Sequence, residues 1–174
     1  MSIVSLDDHE PMEAIGETVV ALADLGVIAS SSGAGALLLH GEEEADCLVV
    51  LQVWREADRV RLPAIATFVG CHQSIFGYPN DEAYWLDPRR LQSEVGLGYG
   101  FYEVLGSSWE ASLQEYNRNA FPDTPSRKSL RHFFLGCHDS SGQFLAKDLT
   151  VETFEDDYRS VLNVALSRLS GLGD

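Results

Sequence analysis

Apolar positions change their spacing along this chain, and each change predicts an element. Met12, Ile15, Val19 and Leu22 step by three, four and three, the spacing of one helix face, with Pro11 suited to its first turn and Gly26 to its stop. The pattern then shortens to strand-like runs at 36–40 and 47–54, joined by the acidic turn 41–46, and a third run spans 60–69. Pro63 marks that third run as an edge or a bulge, because proline cannot donate to a ladder. Residues 101–105 read as a short strand. Ser107 followed by Glu110 reads as a capping box opening a helix that buries Trp109, Leu113 and Tyr116 and ends near Asn117 or Asn119. Runs 130–138 and 143–149 form a hairpin around Asp139-Ser140-Ser141-Gly142, the glycine supplying positive φ. Tyr158, Val161, Leu162, Ala165, Leu166 and Leu169 line a last helix, with Glu155, Asp156 and Asp157 at its positive end and Arg168 at its negative end. These elements predict an α+β fold in a single domain over 1–174: one mainly antiparallel mixed sheet packed with about three helices.

Composition narrows the class. Hydrophobic residues make up 45% of the 174, enough for a real core, and no apolar stretch approaches a membrane span. The first ten residues carry Asp7, Asp8 and Glu10 and lack the basic start of a signal peptide, so a cytoplasmic protein is expected. The net charge is −15, and up to Trp54 there are ten acidic residues and no Lys or Arg. That field repels nucleic acid and membrane surfaces and speeds encounter with a basic protein partner. Arg118, Arg127, Lys128 and Arg131 form too small a cluster for a nucleic-acid patch. Cys47, Cys71 and Cys137 are odd in number and contain no Cys-x-x-Cys pair, which fits reduced thiols.

Candidate chemistry concentrates in two near copies of one pentad, Gly70-Cys71-His72-Gln73-Ser74 and Gly136-Cys137-His138-Asp139-Ser140. Neighbouring side chains on a strand point to opposite faces, so each Cys diverges from its His, which argues against a Cys₂His₂ zinc site. His72 has Asn80, Asp81 and Glu82 close behind it, and His138 is followed by Asp139. If the two imidazoles converge, they can ligate a divalent metal or share proton transfer, with Asp81 or Asp139 orienting them and Glu82 as base. The structural reading of the same residues is two satisfied histidines and two turn-capping aspartates. Neither glycine-rich stretch, 30–35 nor 96–100, ends in the Gly-Lys-Ser/Thr of a phosphate loop. Gly106-Ser107-Ser108-Trp109 lacks a nucleophile elbow.

Three blocks together resemble an uncharacterised family of small bacterial proteins: Cys71-His72 running on to Pro79-Asn80-Asp81-Glu82-Ala83, then Ser107-Ser108-Trp109, then Arg131-His132 running on to His138-Asp139-Ser140. The resemblance spans about 71–147. It implies no activity, cofactor or fold, but it groups Asp81, Glu82, His132, His138 and Asp139. This chain departs from it at Asp87-Pro88, where the family has His-Pro, and at Gln143-Phe144, where it has Phe-Glu. The primary expectation is a non-catalytic acidic binding or accessory protein, immunity-like by analogy, that needs no cofactor and engages a basic partner. The alternative is a hydrolase or lyase, metal-dependent or acid–base, built on His72 and His138.

Overall fold

The computed structural model describes residues 16–31, 35–41, 45–77, 79–80, 83, 97–123 and 129–170. Alternation within the long strands builds its core. In β4 (Cys47–Arg55), Cys47, Val49, Leu51 and Val53 point to one face and Leu48 and Val50 to the other, all buried. Its partner β5 (Arg61–Val69) matches it in phase: Phe68, Ala66 and Ala64 face Cys47, Val49 and Leu51. Strands covered on both faces belong to the middle of a layered structure.

Two antiparallel sheets result, one of them curled into a half-barrel. The first orders β1 (Thr18–Ala21), β7 (Gly100–Leu105), β8 (Arg131–Cys137), β9 (Ser140–Ala146) and β6 (Gln73–Gly77). The second orders β10 (Asp148–Thr153), β5 and β4, with β2 (Val27–Ala29) and β3 (Leu37–His40) both along the far edge of β4. Their inner faces interdigitate. Phe68 stacks on Phe144 with centroids 3.7 Å apart and stands 5.9 Å from Phe133. Helix α2 (Tyr158–Ser170) covers the outer face of the second sheet, packing Val161 and Ala165 against Leu48, Val50 and Ile65. Helix α1 (Ser108–Ala120) adjoins the first sheet and buries none of its own residues.

The expectation of one mixed sheet with three helices is therefore wrong. Among the described residues 47% are strand and 22% helical, with two α-helices and two sheets. The expected first helix is the main cause. Its residues 11–15 lie outside the described residues, and Val19 sits 2% exposed in β1, where sheet pairing overrides helical spacing. Pro63 lies inside β5, between β4 and β10, and its carbonyl accepts the Phe154 N–H. The hairpin turn is His138-Asp139, with Asp139 itself at φ 61°, while Ser140 to Gly142 continue β9. The expected run 143–149 breaks at Lys147, where the chain passes from one sheet to the other. Ser107 does cap α1, accepting from Glu110 N, but Glu110 turns its carboxylate to Gln114 and Ser129, and Glu17 accepts from Ser108 N and Oγ.

Candidate metal centre

His40 closes β3 and Cys47 opens β4, and antiparallel pairing sets them opposite each other. Cys71 arrives from β5. The chain turns at Gly70, in left-handed backbone with φ 53°, and Gly70 N donates to Asp46 Oδ1 at 2.8 Å. Cys71 N donates to Ala45 O at 3.0 Å, so the turn is pinned to the start of β4. A nitrogen of His40 and the sulfurs of Cys47 and Cys71 consequently lie within 4.8 Å of one another. This group can hold a metal ion.

Both thiols are fully buried and His40 is half-buried. The imidazole Nδ1 stands 2.8 Å from Ser74 Oγ. Its Nε2 is buried and, among the described residues, is the side-chain polar atom left without a partner. An unsatisfied buried group of this kind costs about 1–3 kcal/mol unless something meets it. The hydrogen bond between the sulfurs, with burial behind it, pushes the Cys47 thiol far above its ordinary range, while the same bond holds Cys71 below its own. Cys71 Sγ also stands 3.3 Å from Gln73 O, to which it donates.

His40 also lines a groove of about 700 Å³, together with His72 and Gln73 on the strand side and Trp109, Leu113 and Tyr116 of α1 opposite. The aromatic face of α1 that was expected in the core walls this groove instead, and Tyr116 is 71% exposed.

The sequence-predicted residues fall in separate places. His72 lies at the groove. His138 and Asp139 form the β8–β9 turn at the other end of the sheet, where they line a cleft of about 190 Å³ with Ser30, Gln52 and Cys137. The register explains the separation: β6 begins at Gln73 opposite Leu145, whereas β8 ends at Cys137 opposite Ser140. Six ladder steps on β9 divide Ser140 from Ala146, roughly 20 Å at about 3.3 Å per residue. The two imidazoles therefore do not converge. His138 Nε2 is 3.5 Å from Asp139 Oδ2, with both side chains at least half exposed. Asp81 and Glu82 lie outside the described residues.

His132 is 3% exposed and well satisfied. Its Nε2 is 3.1 Å from Gln143 Oε1 and its Nδ1 2.8 Å from Ser107 Oγ, with the Trp109 ring edge-on at 5.2 Å. Gln143 accepts from Nε2–H, which leaves Nδ1 to accept from the serine hydroxyl. The arrangement reads as a structural histidine.

The residues that sequence reasoning missed are His40 and Cys47. The signal was present, because a hairpin of 36–40 and 47–54 places a histidine at the end of one strand opposite a cysteine at the start of the next. Compared with known proteins, the chain matches no protein-family model, no curated protein and no solved structure. Among the described residues, no helix is long and apolar enough to cross a membrane.

Proposed function

We propose that this protein binds one zinc ion through His40, Cys47 and Cys71 and uses it as a metal-dependent hydrolase or lyase. The observation that carries this reading is the His40 imidazole, one nitrogen steadied by Ser74 and the other buried without a partner beside two buried thiols. Thiolate and imidazole donors select zinc over magnesium or calcium. Two thiolates, a neutral imidazole and Zn²⁺ sum to zero charge, which suits a buried place. Zinc bonds of about 2.0–2.3 Å put tetrahedral ligand atoms about 3.5–3.8 Å apart, so this group closes on an ion with side-chain movements of about 1 Å.

Among the described residues three protein ligands leave a fourth position, the pattern of catalytic rather than structural zinc. His40 is the one of the three that also lines the groove, and a zinc ion held here with an open position would lower the pKa of a bound water to about 7. His72, on the same groove, is then the proton-transfer group. His138 and Asp139 take no part in this centre.

Metal analysis of the chain purified without chelator or polyhistidine tag tests the reading. We expect about one zinc per chain, and a cobalt-substituted form with thiolate-to-metal absorption in the near ultraviolet. His40→Ala, Cys47→Ser and Cys71→Ser each abolish both signals, and His138→Ala leaves them intact. A wild type that stays metal-free after incubation with zinc sinks the proposal.

A second reading, engagement of a basic protein partner, has its own support in the ten acidic residues and absent bases up to Trp54. Titration against basic proteins at low salt tests it.

A further inference from the structure

We propose that Cys47 and Cys71 form a reversible disulfide within the native fold, so that peroxide switches the metal centre off. The inference rests on the metal-binding reading and adds its regulation. The two sulfurs belong to one group whose ligand atoms lie within 4.8 Å of one another, and both are held from the main chain, Cys47 by the β4 ladder and Cys71 by its N–H to Ala45 O. A disulfide needs sulfurs about 2.05 Å apart, so the two side chains must close the gap that remains within that group. The chain's third thiol, Cys137, lies at the β8–β9 end of the sheet and outside this group. Odd cysteine number therefore hides one adjacent pair and one isolated thiol.

The same two sulfurs are two of the three metal ligands. Oxidation leaves His40 alone, and a single imidazole does not retain zinc. Both thiols are fully buried and neither lines the groove that His40 lines, so a small oxidant reaches them when the His40 side chain swings aside. The chemistry balances with hydrogen peroxide. One thiolate attacks a peroxide oxygen, the O–O bond breaks and hydroxide leaves to become water, giving a sulfenic acid. The second thiolate then attacks that sulfur, the S–O bond breaks, and a second water departs as the S–S bond forms. Two thiols and one peroxide give one disulfide and two waters, and a dithiol reductant reverses the change.

The test treats the full chain with hydrogen peroxide in both zinc-loaded and metal-free forms. It follows zinc release with a chromogenic chelator, intact mass, and the linked peptides after digestion. We expect all bound zinc to be released, a mass lower by two hydrogens than the reduced chain, a Cys47–Cys71 link, and recovery of zinc binding after reduction. Cys137→Ser should behave like the wild type. Zinc binding combined with sulfinic acids only, or with linkage through Cys137, overturns this inference and leaves the metal reading standing. A Cys47–Cys71 link in a chain that never binds zinc overturns the metal reading and the switch together.

Discussion

Two buried or half-buried histidines in this protein carry opposite hydrogen-bond states, and the metal proposal rests on that difference. His132 has both nitrogens met, by Ser107 and Gln143. His40 has Nδ1 at Ser74 and Nε2 unmet. Where Nε2 ligates a metal, Nδ1–H donates to Ser74 Oγ, and this outer contact fixes both the tautomer and the ring's direction. Outer partners of this kind are worth about 10- to 100-fold in metal affinity. Ser74→Ala should therefore weaken zinc binding by about that factor while leaving the metal-free thermal midpoint nearly unchanged, as measured by competition against a chromogenic chelator and by calorimetry. Unchanged affinity would mean that Ser74 does not steer the imidazole.

At the scale of elements, the sequence was legible where a period was long and local. The strands at 36–40, 47–54 and 60–69 and the last helix appear within a residue or two of their expected bounds. What failed was what depends on partners far along the chain. Spacing at Val19 fits a helix face, and only the β7 strand eighty-odd residues away makes it a strand. The twin pentads looked equivalent, yet one lies between the sheets, on the way from β5 into β6, and the other turns a hairpin, so repetition of residue types gave no convergence. Gly142 shows the same limit. Expected for a positive φ, it is needed for space: a Cβ there would meet the Phe144 ring at 2.7 Å and Phe76 at 3.0 Å. Phe144 is itself stacked on Phe68 and cannot retreat without disturbing the contact between sheets. Gly142→Ala should therefore destabilise the fold by about 1–3 kcal/mol, the usual range for overpacking. Thermal unfolding should show this as a midpoint lowered by about 2–4 °C per kcal/mol. A midpoint equal to wild type would show that β9 has slack against the core.

Across the whole molecule, charge is the property with the longest reach, and the structure revises what its excess can do. Among the described acidic residues before Trp54, Glu17 and Asp46 have internal duties, at the start of α1 and at the Gly70 turn. Three of the arginines are engaged with the protein's own carboxylates: Arg55 with Asp58 and Glu155, Arg131 with Glu103 and Asp148, Arg168 with Glu152. The exposed pairs among these contribute at most about 1 kcal/mol each, and the bidentate Arg131–Glu103 pair is the more enclosed one, with Glu103 17% exposed. With a net charge of −15, the remaining acids act as a diffuse field. Such a field accelerates encounter more than it holds a complex, because charges beyond a Debye length of about 10 Å at 0.1 M salt are screened. If a basic protein is the partner, its association rate should fall by about 10- to 100-fold between 10 mM and 200 mM salt, while the dissociation rate changes little. Surface-biosensor kinetics over that salt series, with basic proteins as probes, separates the two rates. No binding at the lowest salt, where the field acts most strongly, would remove the partner reading.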